Sequence, residues 1–280
     1  MRTEKPSDPE RRFLQLNGQR VAYTDEGTGP VLVALHGCPG SARDWRWMGL
    51  PLENYCRFIR LELPGFGETA LRSGPAASQR GRAQWVLRVL DALNVDRFCV
   101  IGHSAGGFVA LELAARHSER VHALGLIAAP GIRRHKALRA YPFAGLLSAA
   151  LRIPFLRPPL IRRLHSGFAD AGFPSGLPDD SIRQTMHIVA KMNFDRQRAN
   201  VDLLSVPTMV TWSKDDRFIE AEVEEELSRL CPAGPRLEFA DGGHYIQKTY
   251  SHEICVALIE WIQKLTSEVT PESVGESPSC

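Results

Sequence analysis

Apolar residues along this chain alternate between short runs typical of buried strands and longer segments with helical periodicity. The runs that predict strands are residues 13–16, 20–24, 31–35, 58–63, 98–101, 121–128, 208–212 and, more weakly, 236–239. Asn17-Gly18 predicts a hairpin turn between the first two runs. Apolar residues spaced i, i+3, i+4, i+7 around Val86 and Leu258 predict helices. The alternation indicates an α/β fold, a mostly parallel sheet with helices on both faces.

The alternation stops between Ile132 and Asn200, where the pattern is helical without a clear strand. An insertion of this kind between two sheet strands predicts a helical cap over the loops at the carboxyl ends of the strands. We therefore expect a core domain of residues 13–131 and 201–266 and a cap of residues 132–200. The composition of residues 266–280, rich in Ser, Pro and Glu without Lys or Arg, predicts a flexible end at 267–280, and we expect another at 1–12.

The motif that carries most chemistry is Gly102-His103-Ser104-Ala105-Gly106, which follows a predicted strand and begins a helical segment. A tight strand-to-helix turn of this pattern, G-x-S-x-G, lifts the serine hydroxyl above the sheet edge and requires very small neighbours two residues away. Ser104 is therefore the candidate nucleophile, with Gly102, His103 and Gly106 forming its turn. The N-terminus of the following helix directs partial positive charge at the same place.

A serine hydroxyl is a weak nucleophile, so it needs a base that is held by a third group. Asp215 and Asp216 follow one predicted strand, and His244 follows the next. Both loops lie at strand carboxyl ends, in the chain order serine, acid, histidine that this motif requires. We expect His244 to be the base and Asp216 the acid, with Asp215 as the second candidate for the acid. The other histidines outside these motifs are expected at the surface or in the cap.

The tetrahedral intermediate of acyl transfer carries an oxyanion, which needs two preorganised N–H donors. The backbone N–H of Ala105, directly after the nucleophile, is one candidate. The other is the N–H of Cys38, in the loop His36-Gly37-Cys38-Pro39-Gly40 after an early predicted strand. We expect the His36 side chain to brace this loop and to take no part in proton transfer.

These motifs resemble those of the α/β-hydrolase family, in its branch of cap-containing serine hydrolases similar to esterases and lipases. The resemblance rests on residues 36–40, Leu63-Pro64-Gly65-Phe66-Gly67, residues 102–107, Asp216 and Gly243-His244, and it covers nearly the whole chain. Family members usually have Asp in place of Glu62, Gly in place of Ser213 and often Pro in place of Arg217. The resemblance implies an α/β-hydrolase fold with a helical cap and a Ser-His-Asp mechanism.

Composition adds a clue about partners. The 280 residues carry a net charge of only +2, but the predicted cap has twelve Lys/Arg against four Asp/Glu. Between Arg133 and Arg163 there are eight basic residues and no acid, interleaved with apolar side chains. Such a stretch is typical of contact with an anionic membrane, of solvated arginines outside an apolar pocket, or of attraction for an acidic substrate. Nucleic acid is disfavoured because no binding module accompanies the charge.

The sequence predicts neither a metal site nor a cofactor, and it contains no membrane-spanning run. The six cysteines show neither a CxxC pair nor zinc-ligand spacing with histidine, which argues against a metal site. No cofactor is expected, since the intermediate would be covalent on the protein. The chain has no apolar run of membrane-spanning length and no signal peptide, which favours a cytoplasmic location. The sequence leaves the oligomeric state open.

Serine as the nucleophile favours acyl transfer, and the first expectation is hydrolysis of a small-molecule carboxylic ester with an apolar acyl group. The alternative on the same three residues is hydrolysis of a carbon–carbon bond in a diketone-type acid, with cap arginines binding the carboxylate. An alternative of another class is a catalytically silent, hydrolase-like binding protein.

Overall fold

The computed structural model describes residue 6 and residues 8–70, 78–139 and 141–268. Within these ranges one sheet is built from β1 (Arg12–Leu16), β2 (Gln19–Glu26), β3 (Val31–Leu35), β4 (Arg57–Leu61), β5 (Phe98–His103), β6 (Val121–Ile127), β7 (Thr208–Ser213) and β8 (Arg236–Phe239). The strand order is β1-β2-β4-β3-β5-β6-β7-β8. β2 is antiparallel to both of its neighbours, and every other pairing is parallel. The predicted mostly parallel α/β sheet is confirmed.

The strand predictions differ from the structure mainly at strand ends. The hairpin turn at Asn17-Gly18 is confirmed, because both residues have the positive φ angles, 51° and 74°, that a tight two-residue hairpin turn requires. Two predicted strands extend too far. β4 ends at Leu61, since Leu63 turns away and donates its N–H to His36, and β6 ends at Ile127, since Ala128 has a φ of 44°. The strand before Ser104 extends beyond its predicted end at residue 101, through His103.

Helices cover the sheet and fill the long connection between β6 and β7. They are α1 (Arg46–Glu53), α2 (Gln79–Ala92), α3 (Ala105–Arg116), α4 (Lys136–Arg139), α5 (Ala144–Ala150), α6 (Arg157–Asp170), α7 (Asp179–Lys191), α8 (Phe194–Leu203), α9 (Ala221–Leu230), α10 (Ile246–Thr249) and α11 (Ser251–Glu268), with 3₁₀ helices at Ala42–Trp45 and Gly243–Tyr245. In the described ranges, none of these helices has the length and apolarity that a membrane span requires.

Side chains that alternate along the central strands bury both faces of the sheet. On β3, Val33 and Leu35 join one apolar cluster with Trp85 of α2, whereas Leu32 and Ala34 join another with Leu258 of α11. A sheet covered on both faces presents its loops at the strand ends, and the chemistry of such a fold lies in those loops.

The helices α4 to α8 form the predicted helical insertion between β6 and β7. α5, α6 and α7 share their own apolar cluster, which includes Ile161, Leu164, Ile182 and Met186. The inserted helical cap of the predicted fold is thus present, while its exact limits as a domain, 132 and 200, stay a prediction. The predicted flexible ends fall largely outside the described residues, although β1 begins within the first at Arg12 and α11 ends within the second at Glu268.

The register of the sheet brings the candidate residues to the carboxyl ends of the strands. Leu35 pairs with Gly102, His103 pairs with Ile127, and Ser213 pairs with Phe239. The loops after β3, β5, β7 and β8 therefore all leave the sheet at the carboxyl ends of the strands, beneath the inserted helices.

Candidate active site

Ser104 occupies a strained turn between β5 and α3. Its φ of 50° and ψ of −126° lie in a region that residues with a side chain rarely adopt, and its N–H donates to the carbonyl oxygen of Ile127 at 3.0 Å. Small neighbours are essential here. A Cβ on Gly106 would lie 2.2 Å from the carbonyl oxygen of Leu35, and one on Gly102 would lie 2.6 Å from that of Gly106. The turn holds the hydroxyl at the N-terminus of α3.

His244 contacts both Ser104 and Asp216. Its Nε2 lies 2.8 Å from Ser104 Oγ, and its Nδ1 lies 2.7 Å from Asp216 Oδ2. The imidazole is buried in the 3₁₀ helix that follows β8, which begins after Gly242 with its φ of 118°. With a proton on Nδ1, the ring donates to the carboxylate and accepts from the serine hydroxyl. The three residues form one continuous chain of hydrogen bonds.

The two neighbouring aspartates have different partners. Asp216 Oδ1 accepts the N–H of Phe218 at 2.7 Å and that of Ile219 at 3.1 Å. Burial opposes charge on this carboxyl, but the hydrogen bond with His244 and these two N–H groups outweigh burial and lower its pKa. Asp215 Oδ1 instead accepts the N–H of Gly243 at 2.7 Å. Asp216 therefore orients the imidazole, while Asp215 holds the loop that carries it.

Ser213, where the resembling family usually has glycine, lies between these loops. Its Oγ is 2.8 Å from the carbonyl oxygen of Gly243 and 3.0 Å from Asp215 Oδ1. The hydroxyl thus joins the end of β7 to the loop of His244. This departure from the family pattern adds a connection within the site and removes none of the candidate residues.

Two buried histidines connect the loops around Ser104 by hydrogen bonds. His103 Nε2 lies 2.9 Å from the carbonyl oxygen of His244 and donates to it. Burial, followed by the nearby charge of His244, lowers the pKa of His103 to about 3. His36 accepts the N–H of Leu63 at its Nε2, 3.0 Å away, and burial lowers its pKa to about 4. Both rings are neutral at neutral pH, and each ties together two of the loops that surround Ser104.

A cavity of about 100 Å³ adjoins the Ser104 hydroxyl. The backbone-donor candidates Cys38 and Ala105 line it together with Ser104 and His244. Its remaining wall is mainly apolar and includes Phe168, Phe173, Met186, Val189 and Phe218. Among the described residues that line the cavity there is no Lys, Arg, Asp or Glu. The structure thus places Ser104, His244, Cys38 and Ala105 together around an apolar space, with Asp216 behind His244, and the cap arginines are not among the described residues of its wall.

Two groups near the site were not predicted from the sequence. His135 lies in the cavity wall with its Nδ1 3.0 Å from the carbonyl oxygen of Phe218, and burial lowers its pKa to about 4. Glu224 of α9 is buried, and burial together with the charge of Asp216 raises the pKa of its carboxyl well above the ordinary value. Neither residue belongs to one of the sequence motifs described above. Each is brought to the site by tertiary packing.

Comparisons with known proteins show the family and the fold. A model of the alpha/beta hydrolase family matches residues 32–257. The chain is 37% identical to a 2-hydroxymuconate semialdehyde hydrolase of Pseudomonas sp. (strain CF600), over 82% of this chain and 86% of that protein. It is also 30% identical to a dihydrolipoyllysine-residue acetyltransferase component of the acetoin cleaving system of Pseudomonas putida, over 93% of this chain and 71% of that protein. A thermophilic esterase from Thermogutta terrifontis has a similar fold, with a TM-score of 0.72 at 22% identity over 91% of this chain and 99% of that one.

Proposed function

This chain belongs to the alpha/beta hydrolase family and is a hydrolase, and we propose that it cleaves a carboxylic ester with an apolar acyl group through an acyl-enzyme on Ser104. The observation that carries the proposal is the chain of hydrogen bonds from Ser104 through His244 to Asp216, 2.8 and 2.7 Å long, at the mouth of an apolar cavity. A base within hydrogen-bond distance of the nucleophile, itself oriented by a third group, is what activates a serine hydroxyl.

In the proposed reaction His244 Nε2 takes the proton of the Ser104 hydroxyl as Oγ attacks the ester carbonyl. The N–H groups of Cys38 and Ala105 stabilise the resulting oxyanion, and Asp216 stabilises the imidazolium. The tetrahedral intermediate collapses, the alcohol leaves with the proton from His244, and the acyl group stays on Oγ. Water then attacks the acyl-enzyme with His244 again as base, which releases the acid and regenerates Ser104.

The cavity supports a small acyl group. A cavity of about 150 Å³ in another protein holds one benzene molecule, and this one, at about 100 Å³ with a mainly apolar wall, is smaller. Short-chain esters should therefore be turned over faster than long-chain esters of the same alcohol. No Lys, Arg, Asp or Glu is among the described residues of this wall.

The second candidate, hydrolysis of a carbon–carbon bond in a diketone-type acid, is favoured by one observation. The relative named a 2-hydroxymuconate semialdehyde hydrolase covers most of this chain at 37% identity. The cap arginines that were expected to bind the carboxylate do not line the cavity, so this candidate needs another cation. A binding protein without turnover is disfavoured, since the family and the hydrolase relatives support an enzyme and Ser104, His244 and Asp216 are all present.

A substrate panel tests the proposal. The full chain is assayed with aryl esters from acetate to dodecanoate and, in parallel, with a diketone-type acid. Higher kcat/KM for the short-chain esters than for the acid supports ester hydrolysis, and turnover of the acid alone supports the second candidate. Absence of turnover in every case, with Ser104 unreactive toward a fluorophosphonate, would overturn both.

A further inference from the structure

Arg82 is a buried cation that forms no ion pair within the described structure, although its guanidinium lies 5.8 Å from the centre of the Phe66 ring. Its side chain lies on the inner side of α2 and is 2% exposed. Nη2 is 3.3 Å from the carbonyl oxygen of Pro64, whereas Nε and Nη1 have no hydrogen-bond partner among the described residues. Burial lowers its pKa to about 10, so the guanidinium stays charged at neutral pH. An unpaired buried charge is strongly unfavourable, so the unbonded N–H groups of Arg82 would gain free energy from an acceptor.

Gln184 of α7 brings a second unused donor to the same loop. Its side chain is 3% exposed, and its Nε2 has no hydrogen-bond partner in the part of the chain that the structure describes. Its Cγ lies 2.7 Å from where a Cβ on Gly65 would be. Arg82 thus contacts Pro64 and Gln184 contacts the next residue, so donors from the core and from the cap converge on the loop after β4.

Neither Arg82 nor Gln184 is among the described residues that line the cavity, but each lies near residues that do. Thr185 and Met186, the residues after Gln184, line the cavity, as does Cys38. The charge of Arg82 is near enough to Cys38 to oppose the effect of burial on the pKa of that thiol. The donors therefore lie beside the loop that supplies the proposed oxyanion contact, and apart from the apolar wall.

We propose that Arg82 and Gln184 form a subsite for a carboxylate group carried by the substrate. A guanidinium can hold both oxygens of a carboxylate, and its single positive charge matches one carboxylate. This inference rests on the proposed function, since it assumes that the cavity beside Ser104 receives the substrate. It supplies the cation that an ester of an acidic molecule, or the diketone-type acid of the second candidate, would need.

The test compares matched esters on three variants of the full chain. Monomethyl glutarate and methyl pentanoate differ only in a terminal carboxylate, and a second pair carries the carboxylate on the alcohol. For at least one pair we expect a higher kcat/KM for the acidic ester. Arg82→Met should raise KM for that ester by about tenfold to a hundredfold, the range for a lost hydrogen bond to a charged group, with little change for the neutral ester. Gln184→Met should give a smaller effect in the same direction.

Arg88→Met, an exposed arginine on the same helix, is the matched control and should change neither ester. Binding is measured separately, by the stabilisation of the chain against heat by glutarate. Wild type should be stabilised and Arg82→Met should not. Equal effects of Arg82→Met on both esters together with equal stabilisation by glutarate would overturn the subsite, whereas failure to hydrolyse any ester while glutarate still binds through Arg82 would overturn only the ester chemistry.

A second inference comes from the outer surface of the cap. The side chains of Phe143, Leu146 and Phe155 are 71%, 71% and 77% exposed. The opposite side of α5 packs on α7, with Ala144 and Leu151 buried. α5 and the segment after it are therefore apolar toward the core and toward the outside. We call the surface formed by these side chains and the neighbouring arginines the outer cap surface; it consists of Phe143, Leu146, Phe155, Arg152, Arg157, Arg162 and Arg163.

The basic stretch of the cap separates into a paired and an unpaired part. Arg133 and Arg139 form ion pairs with Glu226 and Glu220 of the core. Within the described ranges, no ion pair is formed by the arginines that neighbour the exposed apolar side chains, which are Arg152, Arg157, Arg162 and Arg163. Unpaired cations and large exposed apolar side chains thus lie in one segment of 21 residues, 143–163, that contains no acid.

We infer that the outer cap surface docks on an anionic lipid membrane, where the apolar side chains enter the interface and the arginines bind the head groups. Symmetric pairing with a second copy is disfavoured, because it would bring unpaired arginines together. The full chain should sediment with vesicles that contain phosphatidylglycerol, less so at high salt, and weakly with phosphatidylcholine alone.

The triple variant Phe143→Ser, Leu146→Ser, Phe155→Ser should bind the anionic vesicles about tenfold or more weakly, as expected for loss of buried apolar area. Leu50→Ser, an exposed leucine on α1, is the matched control and should bind like wild type. Equal binding of wild type to neutral and anionic vesicles, or unchanged binding of the triple variant, would overturn the inference. A dimer in lipid-free solution that the triple variant converts to monomer would assign the surface to self-association instead.

Discussion

Oδ2 of Asp216 lies 2.7 Å from Nδ1 of His244, while Oδ1 of the same carboxylate accepts two backbone N–H groups. The carboxylate is thus fixed on one side by the backbone and contacts the imidazole with the other. Asp215, one residue earlier, instead accepts the N–H of Gly243 in the loop that carries His244. This division of roles leads to the first prediction.

Asp216→Asn should lower kcat by about a thousandfold to ten-thousandfold, because an amide cannot stabilise the imidazolium and favours the wrong tautomer. Asp215→Asn should have a much smaller effect, because an amide oxygen can still accept the N–H of Gly243. Steady-state kinetics on a short-chain ester measure both. A larger loss in Asp215→Asn than in Asp216→Asn would show that the acid is misassigned.

Gly106→Ala should prevent folding or strongly destabilise the chain, because the added Cβ would lie 2.2 Å from the carbonyl oxygen of Leu35. Gly145→Ala is the matched control. A Cβ there meets nothing within 4 Å, and the change within α5 should stabilise by about 0.5–1 kcal/mol. Thermal unfolding compares the two. A stable, fully active Gly106→Ala variant would contradict the tight approach of α3 to β3.

The buried neutral histidines predict that stability falls in mild acid. Burial lowers the pKa of His36 to about 4 from 6.5, so between these pH values the unfolded chain binds a proton that the folded chain does not. The free energy of unfolding is therefore largest above pH 6.5 and decreases as the pH falls toward 4. His36 alone should contribute a decrease of about 3 kcal/mol, since one pKa unit is worth about 1.4 kcal/mol.

Urea unfolding of wild type and His36→Gln at pH values from 7.5 to 4.5 measures this contribution. The variant should be less stable at pH 7.5 but should lose less stability on acidification. Parallel pH curves for wild type and His36→Gln would contradict the buried neutral imidazole.

Cys38 should react slowly with thiol reagents, although it lines the cavity. Burial raises the pKa of its thiol to about 12, and only the thiolate is an efficient nucleophile. Iodoacetamide at pH 8 should therefore modify Cys38 far more slowly in the folded chain than in urea, as followed by peptide mass spectrometry. Fast alkylation of folded protein at Cys38 would contradict the raised pKa of this partly buried thiol.

The sequence was most informative where covalent geometry constrains the backbone. The pattern of Gly102, Ser104 and Gly106 was enough to predict the turn, because a strand-to-helix turn with the serine hydroxyl exposed leaves room only for glycine on both sides. Chain order and strand ends predicted the places of His244 and Asp216. The residues at which strands end could not be predicted as closely. A local change of backbone conformation, such as the positive φ of Ala128, ends a strand without a clear signal in composition.

Residues that depend on long-range packing could not be predicted from sequence. Arg82 looks like a surface residue of an amphipathic helix, and only the approach of the loop after β4 and of α7 buries it. His135 reaches the site through its contact with the carbonyl oxygen of Phe218 in the core, and Glu224 through the packing of α9 on β7. The charge count located the basic cap, but only the ion pairs to Glu220 and Glu226 separate its neutralised arginines from its free ones.

The central claim is that Ser104 Oγ becomes acylated with His244 as its base. Its most direct test is intact-protein and peptide mass spectrometry after a fluorophosphonate probe and, separately, after rapid acid quench during turnover of a short-chain aryl ester. We predict a single adduct on Ser104 in wild type, no adduct in Ser104→Ala, and much slower labelling in His244→Ala. An adduct on another residue, or ester turnover that persists in Ser104→Ala, would contradict the claim.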